Sequence, residues 1–139
     1  MMLSSTVPTL VQHHLLDDSH HRYAGRHVIF DVFGSPFSGN CTQIQAIMSD
    51  AVTATGATIL HSHFHVFGKG CGFTGILVLS ESHASVHTWP EVDLMTFDIY
   101  MCGLCDPAMA MKIILEKTLA KEHRVTALKR GILHTYQVE

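Results

Sequence analysis

No apolar run in this chain approaches the ~20 residues that a membrane-spanning helix requires, so no membrane partner is expected. An excess of one charge is missing too. Nine Lys and Arg face twelve Asp and Glu, a net charge of −3, which gives no reason to expect nucleic acid or an anionic surface as partner. The amino terminus lacks the layout of a signal peptide: no basic segment leads it, and Pro8, Gln12, His13 and His14 interrupt its apolar residues. A cytoplasmic location is therefore expected, with Cys41, Cys71, Cys102 and Cys105 as reduced thiols. No internal repeat is visible. The 139 residues suit one domain with one modest core, and leave no room for separate cofactor and substrate domains. With 47% hydrophobic and 15% charged residues the chain is globular rather than disordered. What it has in abundance is histidine, twelve in all.

Residues 1–24 are polar, His-rich and without period, and read as a flexible arm before a single domain over 25–139. His27–Phe33 has the β-branched and aromatic content of a strand, ended by the turn-forming Gly34-Ser35-Pro36. Ile44, Ile47, Met48, Ala51 and Val52 fall at helical spacing between Asn40 and a C-terminal Gly56. Strands are expected over Ala57–Phe67, Phe73–Ser80 and Leu94–Cys102. In the last, Met95, Phe97, Ile99 and Met101 share one side and Thr96, Asp98, Tyr100 and Cys102 the other. Asp106-Pro107 starts a helix to about Lys121 with Met109, Ile113, Ile114 and Leu119 as its buried stripe, and a strand follows over Arg124–Lys129. The order predicts an α+β two-layer sandwich: a mainly antiparallel sheet with both helices on one face. The other face is left to solvent or to a second copy.

Reactive side chains are densest in Leu79-Ser-Glu-Ser-His-Ala-Ser-Val-His-Thr-Trp-Pro-Glu91, which in isolation reads as a polar hairpin turn. Ser80-Glu-Ser-His83 followed by Val86-His-Thr-Trp-Pro-Glu91 resembles the processing site of bacterial and archaeal S-adenosylmethionine decarboxylases. The resemblance runs in order through Gly25-Arg-His27, Gly56-Ala-Thr-Ile-Leu60, Ser62-His-Phe-His65, Phe73-Thr-Gly75, Asp98, Cys102-Gly103 and Arg130-Gly-Ile132, covering roughly residues 24 to 132.

The resemblance implies self-cleavage between Glu81 and Ser82 into a 1–81 β chain and an 82–139 α chain. Ser82 would end as a pyruvoyl group, the only cofactor, which binds the substrate amine as a Schiff base and accepts the carbanion's electrons. It implies His87 as the processing histidine, Cys102 as proton donor to the substrate α-carbon, and Thr74 as support for the processing intermediate. Glu91 would bind the ribose hydroxyls and Phe67 stack on adenine, with the cationic sulfonium near aromatic faces. The implied product is decarboxylated S-adenosylmethionine, the aminopropyl donor for spermidine synthesis. The implied assembly is a homodimer that covers the free sheet face and builds two sites at its interface. On one straight strand Ser82 and His87 would face opposite ways, so a turn or strain near Ser82 is required.

Other readings compete. L-Ornithine or L-arginine is the alternative substrate, because Val92-Asp-Leu-Met95 and Cys71 depart from the family pattern beside the expected pocket. A processing-dead chain that only assembles with an active partner is the non-enzymatic alternative. His61, His63 and His65 alternate onto one face but span about 13 Å, too far for one ion unless His83 or His87 joins, so no metal is expected. Cys102-Gly-Leu-Cys105 has the spacing of redox motifs, though the longer match already gives Cys102 a role. Asp98 reads as structural.

Overall fold

A computed structural model of the chain describes residues 7–11 and 15–137. It contains strands β1 (Thr9–Leu10), β2 (Leu16–Asp17), β3 (His21–Phe33), β4 (Ile59–Val66), β5 (Phe73–Leu79), β6 (Ser82–Trp89), β7 (Leu94–Cys102) and β8 (Glu122–Thr135). Two helices, α1 (Cys41–Ala54) and α2 (Pro107–Lys117), and a short 3-10 turn at Pro90–Val92 complete the described elements. No helix among the described residues is long and apolar enough to cross a membrane.

Every pairing is antiparallel, and all the strands join one sheet. β8 lines one edge of β3 along its whole length. The other edge of β3 is shared, with β2 beside residues 22–23 and β7 beside residues 25–33. The sheet continues from β7 through β6 and β5 to the edge strand β4. The expected α+β two-layer architecture is what forms, because the strands alternate apolar and polar while each helix has one apolar stripe. Val28, Phe30, Val32, Leu77, Ala84, Val86 and all four predicted β7 residues point into the core beneath α1 and α2. Phe30 and Phe97 are directly paired across β3 and β7, and their rings stack at 5.0 Å.

α1 buries the five residues its spacing predicts, and Asn40 caps it by accepting the Gln43 N–H at 3.0 Å. α2 starts as expected, with Asp106 accepting from Ala108 N at 2.9 Å. Its end and its stripe differ from the sequence reading. The helix closes at Lys117, where the Thr118 hydroxyl donates to the Ile114 carbonyl at 2.6 Å, and Leu119 turns out of it with φ +55. Pro107, Ala110 and Ile114 are buried, whereas Met109 and Leu119 are exposed. Met109 lies one position off the stripe, a rotation of about 100°.

The amino-terminal boundary also moves. Leu16 and Tyr23 sit opposite each other and are buried, so β1, β2 and the start of β3 occupy residues read as arm. Asp17 accepts from Arg22 at 3.0 Å and from the Tyr136 hydroxyl at 2.6 Å, fastening this hairpin to the far end of the chain. Residues 1–6 and 12–14 of the arm lie outside the described residues. β8 runs longer than expected because β3 offers it thirteen residues of edge. The polar segment after β5 is mostly strand: its turn is only Ser80 and Glu81.

One polar network crosses the face opposite the helices. Asp98 on β7 accepts from His27 Nε2 at 2.7 Å, from His83 Nε2 at 3.0 Å and from the Ser85 hydroxyl. Arg130 on β8 donates to His27 Nδ1 at 2.9 Å. A guanidinium can only donate, so His27 Nδ1 accepts and its proton sits on Nε2, facing Asp98. Burial alone would raise the Asp98 pKa, but the bonds from Ser85, His27 and His83 outweigh it and hold the carboxyl below its usual range.

Two expectations follow. Ile114→Ala should cost about 2–5 kcal/mol in urea unfolding with an unchanged slope, whereas Met109→Ala should stay within about 0.5 kcal/mol. Asp98 has a depressed folded pKa, so its contribution is present above the unfolded value near 3.9 and is lost as pH falls through the folded value. Asp98→Asn should therefore lower stability at pH 7 by about 1–3 kcal/mol. It should also flatten the decline of the urea midpoint below about pH 4.

Candidate active site

The β5–β6 hairpin closes in two residues. Leu79 pairs with Ser82, Ser80 N–H donates to the Thr58 carbonyl at 3.0 Å, and Glu81 is left with φ +62. That left-handed conformation costs a residue with a Cβ of order 1–3 kcal/mol, and it falls on the residue preceding Ser82. This strain precedes Ser82 and leaves residues 82–89 in unbroken strand register, so it does not bring Ser82 and His87 to one face. Cys102, at the end of β7, donates its thiol to the Glu81 carbonyl oxygen at 2.9 Å. Burial pushes the Cys102 pKa up, so the group is a protonated thiol at neutral pH. The Ser82 hydroxyl lies half-buried and donates to Ser80 O at 3.4 Å. Ser80, Glu81, Cys102, Gly103 and Cys105 border a cleft of about 240 Å³ here.

A second cluster occupies the other end of β6. Thr74 and His87 are directly paired between β5 and β6, with Thr74 Oγ1 3.0 Å from His87 Nδ1. They line an open cleft of about 400 Å³ with Phe67, Cys71, Trp89 and Glu91. Phe67 is exposed, with its ring edge-on to His65 at 4.9 Å. Glu91 enters from the 3-10 turn, whose left-handed Asp93 (φ 52) redirects the chain into β7.

The seven residues singled out from sequence thus form two groups. Glu81, Ser82 and Cys102 come together at one end, and Phe67, Thr74, His87 and Glu91 at the other. Ser82 and His87 do not meet within one chain: five residues of strand separate them by about 16 Å, on opposite faces. Trp89 was not anticipated as a lining residue. The Asp98 network was missed as well, because Ser85 and His83 become its neighbours only once residues 82–89 are a strand paired to β7.

His27, His83 and Asp98 place three potential ligand atoms within 4.8 Å of one another. A cation there would need the His27 Nε2 proton moved to Nδ1, against the Arg130 guanidinium, so the donor set suits an internal network better than a metal. His61, His63 and His65 are all exposed along the edge strand β4.

Comparison with known proteins places this geometry. The family model described as S-adenosylmethionine decarboxylase matches residues 26–131. An S-adenosylmethionine decarboxylase proenzyme of Moorella thermoacetica is 34% identical over 119 residues, covering 84% of this chain and 94% of the relative. One from a Geobacillus species is 36% identical over 110 residues, covering 78% and 88%. The crystal structure of the adenosylmethionine decarboxylase from Aquifex aeolicus superposes with a TM-score of 0.72 at 30% identity, over 84% of this chain and 98% of that one. The split of reactive residues along β6, the strained Glu81 and the thiol on its carbonyl are therefore features of a chain that belongs to the S-adenosylmethionine decarboxylase family.

Proposed function

We propose that this chain is the proenzyme of a pyruvoyl-dependent decarboxylase acting on S-adenosylmethionine, activated by its own cleavage between Glu81 and Ser82. The observation that carries the reading is the Glu81–Ser82 peptide itself: a left-handed Glu81 whose carbonyl oxygen accepts a hydrogen bond from a protonated Cys102 thiol. A carbonyl so polarised is a better electrophile, and the donor already stands where negative charge develops when a nucleophile adds.

Ser82 Oγ attacks the Glu81 carbonyl carbon, the peptide C–N bond breaks, and an ester to Ser82 replaces the amide. Loss of the Ser82 α-proton then breaks the Cβ–Oγ bond, Glu81 leaves as a carboxylate, and a dehydroalanine remains. Water releases its nitrogen as ammonia and leaves a pyruvoyl group at the head of the 82–139 chain. His87, with Thr74 orienting its Nδ1, is the base suited to the α-proton, and the Thr74 hydroxyl is a second donor for the tetrahedral oxygen. The pyruvoyl group supplies the carbonyl at which an amine substrate is held while its carboxylate is lost. Cys102, kept protonated by burial, then returns a proton to the substrate carbon.

His87 and Thr74 reach Ser82 only from a second copy. Antiparallel stacking of two open sheet faces lays the Cys102 end of one sheet against the His87 end of the other, giving two equivalent sites in a homodimer; the Ser82 side chain, paired with buried Leu79 on the helix side, joins them by turning round the end of β6. The larger cleft supports a nucleoside substrate: Phe67 and Trp89 offer rings to a purine and to a sulfonium, and Glu91 offers two oxygens to a diol. Ornithine or arginine would use the amine-binding chemistry without those rings.

Denaturing mass spectrometry of the purified protein should find fragments split between Glu81 and Ser82, while Ser82→Ala gives only the full-length chain. An intact parent chain with no activity would instead favour the non-catalytic assembly partner. Labelled CO2 should be released from S-adenosylmethionine and not from ornithine or arginine. Coexpressing Ser82→Ala with His87→Ala tests the shared site. Cleavage of the His87→Ala chain should reappear in the mixture, and its continued absence would rule out assembly across a dimer.

A further inference from the structure

Cys105 has no part in the chemistry above, yet the fold sets it beside the thiol on which that chemistry depends. Cys102 ends β7, and Gly103 and Leu104 form the turn that follows. Gly103 has φ +62, a conformation in which a Cβ would be strained, so the tight return of the chain depends on this glycine. The ends of a four-residue turn lie within about 7 Å between Cα atoms, which overlaps the roughly 4.4–6.8 Å spanned by disulfides. Both thiols are free and half-buried, and both border the cleft that holds Glu81. They are close enough for charge on Cys105 to act on Cys102. The backbone at Cys105 is fixed, since Arg26 Nη2 donates to its carbonyl at 3.1 Å and Asp106 caps α2 just beyond.

We propose that Cys102 and Cys105 are a reversible modification site, forming an intrachain disulfide that withdraws the Cys102 thiol from the Glu81–Ser82 site. The disulfide stands on the geometry alone; its effect on catalysis rests on the function proposed above. The oxidant is a second disulfide, on a small thiol compound or a protein. The Cys105 thiolate attacks it and one thiol leaves. Cys102 then attacks the mixed disulfide and the second thiol leaves. Two electrons and two protons pass from the cysteine pair to the incoming disulfide, which departs as two thiols. Cys105 attacks first because Cys102 is protonated and engaged with the Glu81 oxygen. Once oxidised, Cys102 has no proton to give, either to the Glu81 carbonyl or to a substrate carbon.

The test equilibrates the full chain in glutathione buffers stepped from reducing to oxidising, quenches with acid, and reads intact mass and CO2 release on the same samples. The fragment carrying residues 82–139 should lose about 2 Da with no glutathione adduct. CO2 release should fall about tenfold or more in parallel, and excess dithiothreitol should restore both. Cys105→Ser should keep releasing CO2 in buffers where the parent has stopped. The proposal is overturned if no such mass loss occurs, if a glutathione adduct is the sole product, or if the oxidised chain releases CO2 at the full rate. Equal sensitivity of Cys105→Ser would also overturn it. A parent that releases no CO2 even in reducing buffer would defeat the decarboxylase reading, leaving the mass change to decide the disulfide by itself.

Discussion

Side chains on a strand alternate faces at every residue and advance about 3.3 Å each, and that constraint governs how this molecule can work. β6 carries both Ser82 and His87, which the proposed cleavage needs together, five positions apart on one centrally paired strand. No adjustment of rotamers brings them together. A chain built this way either leaves its chemistry incomplete or completes it with another molecule. The open sheet face, with its directly paired Thr74 and His87 at one end and Glu81 and Cys102 at the other, has the self-complementary layout that a two-fold axis needs.

The two faces of the sheet divide the labour. The helix side supplies stability through ordinary means: Val28, Phe30, Phe97, Ile99 and Ile114 in a single apolar cluster. The open side keeps its polar groups in register by giving each a defined partner. Asp98 is the centre of that order, drawing β3, β6 and, through Arg130, β8 onto one carboxylate. Its bond to His83 also anchors the residue that follows Ser82. The strain at Glu81 is thus held between two fixed points, the Asp98–His83 bond downstream and the Ser80–Thr58 bond upstream.

Much of this was legible in the sequence, for identifiable reasons. α1 and β7 have unbroken periods of 3.6 and 2, and their buried residues are the ones the pattern names. The family was legible because the residues around Ser82 form a long contiguous match. What stayed hidden depends on tertiary pairing. β6 alternates Ala84, Val86 and Thr88 with polar residues that face a polar surface, so its pattern looks like a loop until its neighbours are known. β1 and β2 are too short to show a period, and β2 is held in the sheet because Leu16 covers Tyr23 on β3 and Asp17 meets Tyr136, 119 positions away. The α2 stripe was misread at Leu119 because Thr118 ends the helix before it, and at Met109 because the buried face runs through Pro107, Ala110 and Ile114.

On the proposed reading the cofactor is drawn from the chain itself rather than held by a separate domain. In the proposed mechanism the reactive group is made from the backbone, so the site needs only a strained peptide, a donor aimed at its carbonyl and a base. That mechanism would use the same Cys102 thiol twice: first on the Glu81 oxygen, where it stands in this structure, then, once that peptide is gone, as a proton source in the vacated space. Both uses demand a neutral thiol, and burial at the end of β7 provides it by disfavouring the thiolate. Under that mechanism control of the chain's chemistry would rest on a single sulfur. The proposed bond from Cys105 would therefore act on processing and turnover together, which a cysteine elsewhere on the surface could not do.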